Sequence, residues 1–409
     1  MGKGTTPKAY MRSFNNKGPR RPFSSKKFNN RLPRRNGNGQ MGQYINPARF
    51  INKAVDAEKT PEIVIQHKFH SFDINHSLKN NVLSKGYKLP TPIQDKAIPC
   101  ILNGSDIVGI ADTGTGKTAA FLVPLINKVL SDKTAKILII VPTRELAIQI
   151  DSEFKSLARG LQLYSVYCVG GMSIGRQISE LRLRHNFVIG TPGRLKDLIT
   201  RKNILLSEFN TLVLDEADRM LDMGFINDIR LIARGLPKDR HTLFFSATLS
   251  PEIERMIHEF LRHPVRISVK TRDTSQNVEQ DVINVGKEGN KLNILRDLLK
   301  QKEFNKVLVF GRTKHGVEKL SRTLIECGFK ADSIHGNKNH SKRQRALGAF
   351  KNNRLQVLVA TDVAARGLDI PNVSHVINYD LPQTYDDYIH RVGRTGRGDK
   401  YGKALTFVS

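Results

Sequence analysis

The stretch that most limits the possible folds of this chain is residues 111–118, ADTGTGKT, which follows an apolar run at residues 107–110 and precedes a helical pattern. In a strand–loop–helix setting, Gly114 and Gly116 let successive backbone N–H groups turn toward an anion, and the helix N-terminus adds positive potential. Lys117 can reach β- and γ-phosphates, and the Thr118 hydroxyl can hold Mg²⁺. We therefore predict a nucleotide-binding loop. Its first position is Ala111 where the general pattern has glycine, so a glycine-rich turn that binds nothing is the alternative.

Apolar, β-rich runs alternate with helical stretches in two successive series. The first comprises residues 107–110, 137–141, 187–189, 211–214 and 243–245, and the second comprises residues 307–310, 356–360, 376–379 and 404–408. Such alternation is typical of α/β domains in which helices cover both faces of a parallel sheet. The second series has no Gly-Lys-Thr loop, so we expect a similar architecture without a nucleotide of its own. We predict a disordered basic tail at 1–43, a transition segment at 44–66, a first domain at 67–268, a linker at 269–280 and a second domain at 281–409.

Polar residues follow several of these strands, at the edge of a parallel sheet where functional residues gather. Asp215 and Glu216 come directly after Leu214. Two carboxylates at this point would supply a Mg²⁺ partner and a base for an attacking water, which indicates nucleotide hydrolysis; an acidic surface loop is the alternative. Residues 390–397 hold three arginines among glycines, a density suited to phosphate. A nucleic-acid patch unrelated to hydrolysis would have the same composition.

The charge balance narrows the choice of partner. The 409-residue chain carries a formal net charge of +28, so a polyanion is expected, with nucleic acid ahead of an anionic membrane because no basic amphipathic helix is evident. No apolar run approaches the length that crosses a bilayer. The three widely spaced cysteines are expected to be reduced core residues, which predicts a reducing, cytoplasmic compartment.

The first 43 residues form a distinct compositional segment. They contain eleven lysines and arginines and no acidic residue, interleaved with Gly, Asn, Pro and the rings of Phe14, Phe23 and Phe28. Low hydrophobicity and charge of one sign predict disorder, while the cations and rings suit phosphate attraction and base stacking. We favour non-specific RNA binding, and a tail that only keeps the protein soluble is the alternative.

Taken together, these stretches resemble the DEAD-box ATP-dependent RNA helicases over residues 67–409. The stretches that appear in the family's order and spacing are residues 86–94, 111–118, 142–146, 170–171, 191–194, 215–218, 246–248, 360–369 and 390–397. Residues 311–316 and 335–338 are similar to the bacterial RhlE-type branch. The resemblance implies two tandem RecA-like domains with parallel sheets, which bind ATP and RNA across the interdomain cleft.

The resemblance also implies roles for individual residues. It gives nucleotide binding to Phe69, Tyr87, Gln94, Thr113, Gly114, Thr115, Gly116, Lys117, Thr118 and Asp369, with Tyr87 stacked on adenine, Gln94 paired with its edge and Asp369 at the ribose. It gives metal binding to Thr118 and Asp215, and catalysis to Lys117, Glu216, Arg394 and Arg397, with Glu216 activating water and the two arginines acting as arginine fingers. It gives RNA binding to Arg144, Gly171, Thr191, Gly193, Arg194, Arg312 and Thr361. It gives interdomain coupling to Asp218, Ser246, Thr248 and Arg391.

The function implied is an ATP-dependent RNA helicase that binds ATP and RNA cooperatively and locally unwinds or remodels RNA duplexes and RNA–protein complexes. An ATP-gated RNA clamp with little unwinding would use the same residues, and a DNA translocase is disfavoured because this family acts on RNA. ATP and Mg²⁺ are the expected cofactors, and the core is expected to be monomeric. One departure is His340, which stands where the family usually has Gln in a Gln-x-x-Arg motif ending here at Arg343.

Overall fold

The structure, a computed structural model, describes residues 50–51, 65–112, 114–269, 278–286, 290–365, 370–396 and 401–408. The predicted basic tail and most of the predicted transition segment lie outside these ranges. Within them, the chain folds around two parallel sheets, one for each series of apolar runs. No helix in the described ranges is long and apolar enough to span a membrane.

The first sheet has the strand order β3-β4-β2-β5-β6-β1-β7, and every neighbouring pair is parallel. Its strands are β1 (Ile107–Ile110), β2 (Ile137–Ile140), β3 (Ser165–Cys168), β4 (Phe187–Gly190), β5 (Thr211–Leu214), β6 (His241–Ser246) and β7 (Val265–Ser268). Its helices are α1 (His76–Ser84), α2 (Pro92–Leu102), α3 (Lys117–Ser131), α4 (Arg144–Leu157), α5 (Ile174–Leu181), α6 (Pro192–Thr200), α7 (Ala217–Asp222), α8 (Ile226–Gly235) and α9 (Pro251–Phe260). Short 3-10 turns lie at Phe69–Ser71 and Leu206–Glu208.

Successive side chains of a strand point to opposite sides of the sheet, and both sides are buried here. In β2, Ile137 and Ile139 join one apolar cluster, whereas Leu138 and Ile140 join the other. Helices cover both clusters, so the interior strands are largely apolar on both faces. The carboxyl ends of the strands are left as the accessible edge, and the loops that follow them meet there.

The second sheet has the order β10-β11-β9-β12-β13-β8 and is also parallel throughout. Its strands are β8 (Val278–Asn284), β9 (Val307–Phe310), β10 (Ala331–Ile334), β11 (Val357–Ala360), β12 (His375–Asn378) and β13 (Gly402–Val408). Its helices are α10 (Lys291–Leu299), α11 (Lys314–Glu326), α12 (His340–Lys351), α13 (Asp362–Ala365) and α14 (Tyr385–Val392). Leu308 and Phe310 face one cluster and Val307 and Val309 the other, as in the first sheet.

The predicted fold class, α/β with two parallel sheets, is confirmed. Strand β8 begins at Val278, so it overlaps the last three residues of the segment predicted as a linker, 269–280. Strands β3, β7, β8 and β10 were not among the predicted apolar runs, and all four lie at the edges of their sheets. Several loop threonines cap the helices they precede: Thr143 accepts from the Leu146 N–H and Thr384 from the Asp387 N–H.

Candidate functional site

The phosphate-loop sequence lies where it was predicted, between β1 and the N-terminus of α3. Gly114 and Gly116 have φ of 90° and 94°, which favours glycine at both positions. A Cβ on Gly116 would also collide with the Gln94 side-chain amide, so space excludes any larger residue there. The Lys117 ammonium is buried and donates to the Ala111 carbonyl at 2.7 Å. The loop therefore curls around the amine of Lys117; Thr113 lies outside the described residues.

An aromatic pocket adjoins this loop. Phe69 is fully buried, and its ring centroid lies 5.6 Å from that of Tyr87. The Tyr87 hydroxyl donates to Glu153 at 2.9 Å, and burial, followed by the Glu153 charge, raises the pKa of Tyr87. Gln94 is engaged at both ends of its amide: Nε2 donates to the Gly116 carbonyl at 3.0 Å, and Oε1 accepts from the Thr91 N–H at 2.9 Å. Gln94 thus links the N-terminus of α2 directly to the phosphate loop.

The two predicted carboxylates follow β5 and are almost fully buried. Asp215 accepts from the Glu216 N–H at 2.9 Å, and burial raises the pKa of Asp215 to about 7. Glu216 adopts a left-handed backbone, with φ of 52°, and its carboxylate contacts the Arg219 guanidinium. Burial opposes ionisation of Glu216, but the charges of Arg219, Lys117 and Arg394 outweigh it and lower the pKa of Glu216. An added cation would therefore stabilise the ionised form of Asp215, whereas the neighbouring cations already hold Glu216 ionised.

The loop, Tyr87 and the two carboxylates share one cleft of about 230 Å³, whereas the predicted residues Phe69 and Gln94 lie outside its lining. Its lining comprises Tyr87, Gly114, Gly116, Lys117, Thr118, Ala119, Leu146, Gln149, Glu153, Asp215 and Glu216. Gln149 and Glu153 were not predicted. They lie four residues apart on α4, on the face that also presents Leu146, so helical spacing counted onward from the 142–146 motif could have found them.

Two of the predicted arginines of the second domain lie on or just after α14. Arg391 is buried and makes a two-point contact with Asp362, at 2.6 and 2.8 Å; it also donates to Asn378 and to the Asp380 carbonyl. These partners all belong to the second domain. Arg394 follows the helix, and its positive charge reaches Glu216 of the first domain. Arg397 and Asp369 lie outside the described residues.

Asp218, Ser246 and Thr248 form one hydrogen-bonded network in the first domain. Asp218 accepts from the Ala247 N–H at 3.1 Å, and the Ser246 hydroxyl donates to the Thr248 carbonyl at 2.7 Å. The network joins the turn after β5, which carries Glu216, to the loop after β6.

A second, larger cleft of about 450 Å³ is lined by three arginines, Arg144, Arg194 and Arg343, among other residues. Its lining is Pro142, Thr143, Arg144, Glu145, Gly170, Thr191, Gly193, Arg194, Met223, Phe225, Gly336, Arg343 and Val363. Four of the predicted RNA-binding residues are in that set, and Gly171 packs so closely on the Arg144 guanidinium that a Cβ would collide with it. Burial, followed by the charge of Arg343, lowers the pKa of Arg144. An anion bound in this cleft would reduce the repulsion between the Arg144 and Arg343 guanidinium groups.

The second cleft draws residues from both domains. Arg343 of α12 forms an ion pair with Glu145 of α4, with 2.8 Å between Nη2 and Oε1, and both side chains are largely buried. Gly336, Arg343 and Val363 were not predicted as RNA-binding residues. The predicted residues Arg312 and Thr361 follow the adjacent strands β9 and β11 but do not line this cleft. The side chain of His340 is outside the described part of the structure.

The two parallel sheets, with a phosphate loop and buried carboxylates on the first and arginines on the second, define a class: nucleotide-dependent proteins of the tandem RecA-like type. Family models place the chain within that class. The DEAD/DEAH box helicase model matches residues 91–256, and the helicase conserved C-terminal domain model matches residues 290–399.

Similar proteins place the chain more closely. It is 44% identical over 343 residues to an ATP-dependent RNA helicase CshA of Limosilactobacillus reuteri, covering 84% of this chain and 69% of the relative. It is 46% identical to the CshA of Listeria monocytogenes, covering 83% of this chain and 66% of the relative, and 43% identical to that of Bacillus subtilis, covering 83% and 69%. The chain belongs to the DEAD-box ATP-dependent RNA helicase family.

Solved structures agree in fold. Mss116 bound to single-stranded RNA and UDP-BeF matches with a TM-score of 0.75 and 30% identity, over 84% of this chain and 75% of that one. Saccharomyces cerevisiae Dbp5 bound to RNA and ADP-BeF3 matches with a TM-score of 0.74 and 29% identity, over 83% and 89%. The prediction of tandem RecA-like domains is confirmed, and the RhlE-type branch stays a prediction.

Proposed function

We propose that this chain is an RNA-stimulated ATP hydrolase that uses ATP to separate or remodel short RNA duplexes and RNA–protein complexes. The observation that carries the proposal is geometric. The Glu216 carboxylate is almost fully buried, contacts the Arg219 guanidinium and lines the same cleft as Lys117 and the glycines of the phosphate loop. A buried carboxylate beside a phosphate loop is suited to orient and activate water for attack on a phosphate.

We assign the roles in ATP hydrolysis from the family resemblance, and the positions of the described side chains support them. Phe69, Tyr87 and Gln94 would hold the base, with the Gln94 amide turning from its present partners to the adenine edge. Residues 113–118 would bind the phosphates through the backbone and Lys117, and Asp369 would bind the ribose. Arg394 and Arg397 would approach the γ-phosphate from the second domain, where charge develops in the transition state. Hydrolysis would therefore require both domains to meet the same nucleotide.

Mg²⁺ fits the residues of this cleft. The described residues contain no cluster of three or more His, Cys, Asp or Glu side chains that would hold a metal by themselves. Mg²⁺ needs no such cluster, since it is commonly bound by one or two carboxylates together with water and phosphate oxygens. Asp215 is a buried carboxylate that lines this cleft, and Thr118 lines the same cleft. We assign the metal to these two residues; when bound it would neutralise phosphate charge.

RNA would bind in the second cleft and extend beyond it to the ends of β9 and β11. The proposed contacts are Arg144, Gly171, Thr191, Gly193 and Arg194 from the first domain and, outside the cleft, Arg312 and Thr361 from the second. Guanidinium groups, threonine hydroxyls and backbone N–H groups suit phosphates and 2′-hydroxyls, so binding would accept many sequences and distinguish RNA from DNA. Because the two domains share this cleft, RNA would favour their approach, and the Asp218–Ser246–Thr248 network and Arg391 would couple that approach to ATP hydrolysis.

The remaining assignments are also proposals. We place the protein in the cytoplasm, in keeping with three free cysteines. We infer a monomeric core, a first domain at 67–268, and a basic tail at 1–43 that binds RNA without sequence preference. The second domain, predicted at 281–409, begins by Val278, because β8 belongs to its sheet.

Steady-state ATP turnover with and without RNA tests the proposed function, together with strand separation on matched RNA and DNA duplexes. Strong stimulation by RNA and ATP-dependent separation of RNA duplexes are the expected results. RNA-dependent ATP binding with slow turnover and no separation would instead indicate an ATP-gated clamp. Equal action on DNA duplexes would contradict the assignment to RNA.

A further inference from the structure

A residue that precedes the first domain is buried in the second. Phe50 is fully buried, and it belongs to the apolar cluster on one face of the second sheet, with Val278, Phe310 and Tyr388 among its members. Its ring centroid lies 4.6 Å from that of Tyr388. The next residue, Ile51, is 52% exposed. The second domain therefore buries the Phe50 side chain and leaves that of Ile51 exposed, although both residues precede the first domain in sequence.

Polar contacts fix the same position. The Tyr388 hydroxyl donates to Gln280 Oε1 of β8 at 2.8 Å and lies 3.4 Å from the Phe50 carbonyl oxygen. A buried tyrosine hydroxyl needs a partner, and here the partner and the neighbouring carbonyl set the orientation of the ring. Phe50 thus packs on a side chain that is itself held at both its ring and its hydroxyl.

The helix that carries Tyr388 also positions the arginines of the second domain. Arg391 lies one turn further along α14 and is bound to Asp362, Asn378 and the Asp380 carbonyl. Arg394 follows the helix, with Nε donating to the His390 carbonyl at 3.2 Å. Phe50 therefore packs against the same short helix that Arg394 follows and to which it is hydrogen-bonded.

We propose that Phe50 is a positioning residue for ATP turnover: by packing on Tyr388 it holds α14, and with it Arg394, in the geometry that serves the ATP cleft. Phe50 lies outside both family-model matches, which begin at residues 91 and 290. The inference rests on the proposed function in one respect, namely that Arg394 acts on bound ATP. The packing of Phe50 on the second domain stands independently of that role.

The packing can be tested without any activity, because the sequence contains no tryptophan. Phe50→Trp introduces a single tryptophan at the buried position, and its emission can be excited apart from that of the tyrosines. Ile51→Trp is the matched control one residue away. We expect blue-shifted emission and protection from acrylamide for Phe50→Trp, and water-like emission and ready quenching for Ile51→Trp. Equal quenching of the two variants would overturn the proposal.

The positioning role is tested by kinetics. In Phe50→Ala we expect the kcat of RNA-stimulated ATP turnover, per nucleotide-binding site, to fall by about 10-fold, since small displacements of a catalytic group have effects of this size. The KM for ATP should stay near its parental value, because the base and phosphate pockets belong to the first domain. Phe50→Leu, which keeps an apolar side chain, should recover most of the kcat, and Ile51→Ala should match the parent.

Counting turnover per bound nucleotide separates positioning from partial unfolding, because unfolded molecules lower the number of sites and leave kcat per site unchanged. If Phe50→Ala does not fold, the less disruptive Phe50→Val takes its place. Parental kcat per site in the folded small-side-chain variant, Phe50→Ala or Phe50→Val, would overturn the role. Failure of the parent to hydrolyse ATP would overturn the proposed function instead, while leaving the fluorescence result intact.

Discussion

At the scale of single residues, Lys117 and Glu216 line the same cleft, but their replacement should affect different steps of the reaction. Lys117 offers its charge to phosphate in the bound state, whereas Glu216 acts on water only in the chemical step. We predict that Lys117→Ala lowers ATP affinity by at least about 100-fold, and that Glu216→Gln binds ATP normally, loses hydrolysis by about 100-fold or more and stays on RNA. Nucleotide binding, ATP turnover and RNA release measure the three quantities.

Glu252→Gln on the exposed surface of α9 is the matched control for the carboxylate, and it should behave as the parent. Hydrolysis by Glu216→Gln at the parental rate would show that another group activates the water.

Gln94 should determine the choice of base. Its amide can pair in bidentate fashion with the edge of adenine and meets the wrong pattern on guanine. Because it also holds the Gly116 carbonyl at 3.0 Å, Gln94→Ala should weaken ATP binding and abolish the preference for ATP over GTP. Gln149→Ala, which alters the same cleft elsewhere, should keep the preference. Equal turnover of ATP and GTP by the parent would contradict the assignment.

His375 gives the second domain a pH dependence of its own. Its ring stacks on Phe304 at 3.8 Å, and burial lowers the pKa of His375 from 6.5 to about 4. Between these values the unfolded chain binds a proton that the folded chain does not, so stability falls as the pH falls from 6.5 toward 4. At about pH 5 the loss should be about 1–2 kcal/mol.

His375→Phe keeps the stacking and removes the titration, so its urea unfolding should lose less stability than the parent's between about pH 7.5 and about pH 5. His315→Gln, at an exposed position, should lose as much as the parent. An unchanged pH dependence in His375→Phe would show that other groups cause the loss.

At the scale of helices and strands, the ion pair of Arg343 on α12 with Glu145 on α4 joins the two domains in the second cleft, which both residues line. Removing either partner leaves the other charge buried and unpaired. We predict that Arg343→Ala and Glu145→Ala each reduce RNA-stimulated ATP turnover, with a coupling energy of about 1–3 kcal/mol in the double-mutant cycle. The exchanged pair, Arg343→Glu with Glu145→Arg, should recover part of the activity. Additive single effects and no recovery would mean that the pair does not couple the domains.

The strands show where the sequence is informative and where it is not. The interior strands were predicted because burial on both faces requires an unbroken apolar run, as in Ile137–Ile140. Strands β3, β7, β8 and β10 were not predicted, and each is an edge strand with partly exposed or polar positions. In β7 only Ile267 is buried, and β10 contains Asp332 and Ser333. An edge strand is stabilised by pairing with a single neighbouring strand, and no local sequence pattern indicates that pairing.

The candidate site divides in the same way. Residues that follow a strand within a short motif, such as Lys117 and Asp215, lie together in the cleft because strand ends meet at one edge. Arg343 and Phe50 were not predicted, since each reaches its position through packing between elements distant in sequence. Contacts of that kind depend on the tertiary structure, so single-sequence motifs do not reveal them.

At the scale of the whole molecule, the basic tail should act on RNA affinity more than on catalysis. Residues 1–43 carry eleven cations and no acidic residue. Each phosphate neutralised on single-stranded RNA contributes roughly 0.7 to the slope of log affinity against log salt, so a tail that engages four or five phosphates should change the slope by about 3. Such contacts are equal in the ground and transition states, so maximal turnover should be nearly unchanged.

RNA titrations of full-length protein and of protein lacking residues 1–43, at several salt concentrations, measure this effect. Identical slopes would indicate that the tail serves solubility. Collapse of maximal turnover would mean that the tail takes part in catalysis.

The position of Phe50 bears on how the protein can be shortened for such work. A protein that starts at residue 67, where the helicase-like sequence begins, would lack the ring that covers Tyr388. It would present an apolar hollow to water, and uncovered apolar surface promotes self-association. Its activity would then report the loss of Phe50 as well as the loss of the tail. Removal of the first 43 residues alone keeps Phe50, so this is the boundary at which an effect of the tail can be attributed to its charge.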